Sequence, residues 1–132
     1  MKLQKNNPQA VAHDFLDAWQ RKNLPDLLSA SQKTFQATYP AINACEMFMQ
    51  DIKAFKVIRT ELRKNQPTMR FVIVSIDFGE GTEEYKLPVN CERYIEQETK
   101  LPSGATHKNA FYKPSLNGFW GVYPATHYKK VN

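Results

Sequence analysis

The sequence predicts an α+β fold: three N-terminal helices packed on a curved, mostly antiparallel sheet of four to six strands. Two observations predict it. Apolar residues recur at steps of three and four up to about residue 53, then alternate with a period of two to the end of the chain. Helices segregated from strands in this way give helices stacked on one face of a sheet. The 132 residues suit one domain over 1–132, with no repeat, low-complexity tract or linker to divide it.

The first helix is predicted over 8–22. Val11, Ala12, Phe15, Leu16 and Trp19 form one apolar stripe, and Asn7 followed by Pro8 is a workable start signal. "KNLPDLL" breaks it, and Pro25 opens a short second helix over 25–31 with Leu24, Leu27 and Leu28 inward. After "FQATYP", a third helix fits 41–53, with Ile42, Cys45, Phe48, Met49 and Ile52 as its stripe.

Strands follow. Phe55, Val57 and Ile58 begin the first. "MRFVIVSIDF" is apolar at seven of ten positions and rich in β-branched residues, the mark of a central strand buried on both faces. After the turn "GEGTEE", residues 84–99 alternate: Tyr85, Leu87, Val89, Cys91 and Ile95 face one way, and Lys86, Asn90, Glu92, Tyr94 and Glu96 the other. This is a long strand with one wet face, and Pro88 argues for an edge or bulge there. "AFYKP" and "GFWGVYPATHYKKV" supply the last strands. Phe119 and Trp120 then point to opposite faces, and Gly118 and Gly121 let the strand bend or a helix approach.

The stretches "PQAVAHDFLDAWQRKNLPDLLSA" and "GFWGVYPA" resemble the opening helices and closing strand of the NTF2-like (cystatin-like α+β) superfamily. The resemblance covers nearly the whole chain at the level of pattern. It implies a cone whose sheet wraps the helices around a cavity. It implies no single function, because relatives include isomerases, hydrolases, small-ligand binders, transport adaptors and accessory domains of secretion and conjugation machines.

Composition narrows the range. The net charge of +5 favours anionic contacts weakly, and the basic residues are scattered among 13 acidic ones, which disfavours nucleic acid. No window is long and apolar enough for a membrane helix, and no signal peptide opens the chain. The expected setting is the cytoplasm, or an extracytoplasmic domain whose signal or anchor has been removed. Cys45 and Cys91 fit no metal spacing and read as small apolar fillers, pairing only in an oxidising compartment. No cofactor motif is present.

Candidates for chemistry are few. Asp77 lies in an otherwise apolar strand, where an unpaired carboxylate is costly. Arg93 interrupts an apolar row and needs a carboxylate or an anion, and Asp77 is its possible partner. His13, His107 and His127 are scattered, and no strand points a histidine inward. Enzymes of the resembled superfamily set carboxylates, a His or a Tyr inside the cavity, so catalysis is disfavoured. The expectation is a non-enzymatic domain that binds a protein partner or its own second copy, with Tyr94 and Tyr112 as interface anchors. The resemblance suggests an accessory role in a bacterial envelope, secretion or conjugation assembly. The alternative is a pocket for a small apolar ligand, or an isomerase-like active site, lined by Trp19, Tyr39, Phe71, Asp77, Arg93 and Trp120.

Overall fold

A computed structural model describes residues 6–33, 49–125 and 128–131. The chain forms α1 (Pro8–Gln20), α2 (Leu24–Ser29), β1 (Ala54–Leu62), β2 (Met69–Asp77), β3 (Thr82–Lys100), β4 (Thr106–Pro114), β5 (Phe119–Val122) and β6 (Lys129–Lys130). This is an α+β fold with a six-stranded sheet whose pairings are all antiparallel. The expected three-helix layer is corrected. Strand makes up 49% of the described residues against 18% helix, and α1 alone of the two helices exceeds six residues. Most of the expected third helix, 41–48, lies outside the described residues. Its described end, 49–53, is turn, bend and irregular chain rather than helix.

The local signals act as elementary chemistry requires. The Asn7 side chain accepts a hydrogen bond from the Ala10 N–H at 2.8 Å, and Pro8 occupies the first turn, where its missing donor costs nothing. Asn23 starts α2 in the same way, accepting from the Asp26 N–H. The stripe of α1 (Val11, Ala12, Phe15, Leu16, Trp19) is buried against Val72, Val74 and Ile76 of β2, Leu87 and Val89 of β3, and Val122 of β5. Val72, Ile73 and Val74 are all fully buried, as a central strand between β1 and β3 should be. Fully burying one such side chain stabilises by about 1.5–3 kcal/mol, so this stripe dominates the stability of the body.

β3 organises the sheet. One edge of its first half pairs with β2, from Thr82 opposite Asp77 to Asn90 opposite Met69. The other edge takes three strands in turn: β6 at Tyr85 and Lys86, β5 at Val89–Glu92, and β4 at Glu92–Lys100. Pro88 therefore sits neither at an outer edge nor in a bulge. Its carbonyl accepts the Tyr123 N–H at 2.9 Å, and its missing donor falls between β5 and β6. The irregularity lies in β1 instead, where Ile58 is the extra residue between Val57 and Arg59.

β5 is held on both edges. The Trp120 N–H donates to Asn6 Oδ1, the Val122 N–H to the Ala30 carbonyl, and the Gln32 N–H to the Val122 carbonyl. Trp120 packs against the core while Phe119 is 60% exposed on the opposite face. Gly121 permits this closure, because a Cβ there would overlap the Ser31 carbonyl. Gly121→Ala is expected to destabilise the fold by about 1–3 kcal/mol, read as a lower urea midpoint. A midpoint equal to that of the unmodified chain would show that the segment after α2 is not packed on β5.

Candidate functional site

Asp77 ends β2, and its Oδ1 accepts the Gly79 N–H at 2.7 Å and the Gly81 N–H at 3.3 Å. Both glycines have φ above +100°, a conformation other residues avoid, so the carboxylate is the cap of the β2–β3 turn. Arg93 is exposed, and eleven residues of β3 separate it from Thr82, the partner of Asp77. At about 3.3 Å per residue that is roughly 36 Å of strand. The two side chains form no pair.

The rest of the expected pocket does not converge either. Trp19 is buried near the end of α1, donating from Nε1 to the Gln50 carbonyl at 2.9 Å and facing Phe78 at 5.7 Å. Trp120 lies beside Cys91, opposite it in the register, with the Arg70 guanidinium 5.1 Å above its ring. Phe71 is on the sheet face away from the helices, between Arg63 and Lys86. Tyr39 lies outside the described residues.

Three hollows border the body, and each is already engaged by its own polar groups. A dish of about 480 Å³ is lined by Asp14, Asp17 and Asp26 with Arg21. Arg21 binds Asp17 at 2.9 Å and Asp26 at 3.1 Å, and these hydrogen bonds raise its pKa. A chamber of about 200 Å³ lies among Trp19, Ile76, Phe78, Tyr85 and Tyr128. The Tyr128 hydroxyl there donates to the Tyr123 carbonyl and accepts the Ala125 N–H, and burial pushes its pKa up. The adjoining hollow of about 420 Å³ is crossed by the ion pair of Glu83 with Lys130, which lowers the pKa of Glu83 and raises that of Lys130. Buried Glu92 accepts from Gln32 Nε2 at 3.0 Å, and Gln32 accepts from Asn90, so this carboxylate ties the segment after α2 to β3.

The fourth hollow differs. A groove of about 470 Å³ is lined by Lys33, Arg93, Tyr94, Tyr112, Asn117, Gly118 and Phe119. Tyr94 and Tyr112 are direct cross-strand partners, with ring centroids 5.2 Å apart. Tyr94 is 48% exposed, and Phe119, which pairs with Glu92 on the same sheet face, stands beside the Lys33 ammonium at 6.0 Å. Sequence reading had singled out Tyr94, Tyr112 and Arg93 separately. It missed Phe119 as an exposed member, although the alternation of Phe119 and Trp120 required one of them to face outward. Lys33 carried no signal.

The groove opens onto a projecting arm. Among the described residues β3 pairs beyond Glu92 with β4 alone, and from Glu96 to Phe111 every residue is exposed. The arm also carries the apolar pair Ile95–Phe111, on the face opposite Tyr94–Tyr112. Among the described residues no group of three or more His, Cys, Asp or Glu is placed to hold a metal ion, and no helix is long and apolar enough to cross a membrane. No family model, curated protein or solved structure matches the chain.

Two outcomes are expected. Asp77→Ala loses the turn cap and about 1 kcal/mol of stability, whereas Asp77→Asn keeps the acceptor and changes it by less than about 0.5 kcal/mol; urea midpoints separate the two. Cys91 is a free, fully buried thiol whose pKa is raised, chiefly by burial. In a Cys45→Ser background, a thiol reagent at alkaline pH should leave the native protein unlabelled and label it once urea is added.

Proposed function

We propose that this chain is a non-enzymatic binding domain whose contact region is the groove of Tyr94, Tyr112 and Phe119 together with the arm beyond it. One observation carries the reading: three aromatic rings converge around one groove, with Tyr94 and Phe119 exposed, Tyr112 half-buried and Lys33 at its border. Tyrosine rings supply large contact area at low entropic cost and are enriched in interfaces. Against catalysis stands the separation of Asp77 from Arg93, since general acid–base work needs groups within hydrogen-bond reach of one reacting centre. The Asp77 carboxylate is already committed to two backbone donors.

The reading includes NTF2-like kinship, which rests on the order of two helices before a long antiparallel sheet and on helices covering one sheet face. A place as an accessory domain in an envelope, secretion or conjugation assembly rests on that kinship alone. The bound species is a protein, either a different chain or a second copy.

The test places a photo-crosslinking residue at position 112, with a control at position 13 on the exposed side of α1. The expected result is a discrete covalent adduct with a protein from position 112 alone, abolished by Phe119→Ser. Equal adducts from both positions, or none from either, would overturn the reading. A small molecule retained in the native mass spectrum and lost on denaturation would replace it with a ligand pocket.

A further inference from the structure

Resting on the binding-domain reading, we propose that the groove and the free edge of β4 together receive an extended acidic segment of another protein, added to the sheet as one more antiparallel or parallel strand. Three observations lead there.

The first is the edge itself. β4 runs for nine residues, and among the described residues its one neighbour in the sheet is β3. Its other side presents a row of backbone donors and acceptors, the template used in strand addition. The contrast with β5 is direct. β5 is as exposed to pairing by position, yet Asn6, Ala30 and Gln32 occupy its outer edge.

The second is charge. β4 carries Lys108, Lys113 and His107 and no acidic residue. Its neighbour β3 contributes Glu96 and Glu98, and Glu98 already lies 3.7 Å from Lys108. Across 93–113 there are four basic residues and two acidic ones, and Lys33 adds another cation at the groove. A lysine-bearing edge repels a second lysine-bearing edge. Two copies of this chain, each at +5, would meet cation to cation, so charge favours an acidic strand over self-pairing.

The third is the seat beside the edge. An added strand points alternate side chains to the sheet face that holds Tyr94, Tyr112 and Phe119. The groove there, about 470 Å³, takes one large apolar or aromatic side chain, and Lys33 at its border and Lys108, on the same face of β4 as Tyr112, meet the carboxylates beside it. The arm gains a third strand, which a two-stranded ribbon in water needs for independent stability.

The probe is a capped, fluorescent peptide as long as β4, alternating glutamate with valine around a central phenylalanine, against a counterpart with lysine for glutamate. Anisotropy should show saturable binding of the acidic peptide, about tenfold or more tighter than the lysine one. Lys108→Glu with Lys113→Glu should weaken it by about tenfold or more, and Tyr112→Ser should weaken it as well. Hydrogen exchange should slow across 106–114 on binding, a change that side-chain contact alone does not produce. Equal binding of both peptides, or unchanged exchange in β4, overturns the proposal even where the photo-crosslink at position 112 persists. So does a dimer in sedimentation that Lys108→Glu alters, which assigns the edge to a second copy. An oligothymidylate that slows exchange in β4 equally well, with steep salt dependence, assigns it to nucleic acid and overturns it too.

Discussion

The structure depends on one constraint: a single strand of 19 residues serves as the pairing partner of four others. At about 3.3 Å per residue β3 spans roughly 60 Å, while the 13 residues of α1 cover about 20 Å. One helix layer cannot shelter such a strand from end to end. The first half is therefore a body, with Leu87, Val89 and Cys91 fully buried beneath the helices. The second half is an arm, wet on both faces and, among the described residues, paired with β4 alone. The division between body and arm follows from strand length, and the groove forms at the step between them.

The terminal segment secures the body. β5 pairs with β3 on one side and takes the segment after α2 on the other, so it joins the first and last parts of the chain. The buried Glu92 reinforces that junction through Gln32 and Asn90, because a carboxylate out of water must be matched by donors. This explains the aromatic mass so near the C-terminus. Trp120 closes the core, Gly121 lets the chain approach, and Phe119 is left on the far face. The same junction consumes the β5 edge, whereas among the described residues β4, like β1 at the other end of the sheet, keeps an edge with no strand paired to it.

Period and punctuation made α1, β2 and β3 legible in the sequence. Asparagine caps, a helical stripe and a run of β-branched residues each have a local cause, and each acts locally in the fold. The pairing register had no such signal. Tyr94 and Tyr112 were recognisable as anchors one by one, but their contact depends on a hairpin whose register only the folded chain reveals. Asp77 and Arg93 were joined by residue chemistry, an acid and a base in apolar rows. Register places them at distant points along β3, and the glycines after Asp77 give its carboxylate a backbone task. Pro88 was read as an edge marker because a missing donor usually harms a ladder. Here the gap between β5 and β6 absorbs it.

Two of the three hollows of the body are crossed by their own ion pairs, and this shifts function to the arm. Arg21 satisfies two aspartates, and Lys130 satisfies Glu83. A ligand entering either place must first displace an ion pair. At the groove Lys33 borders the aromatic rings, and Tyr94 and Phe119 face water. A cation beside exposed apolar surface gains from an opposite charge brought by a partner. The arm thus stores its unsatisfied contacts in one place, and a chain supplying carboxylates, an apolar side chain and a backbone edge meets all three.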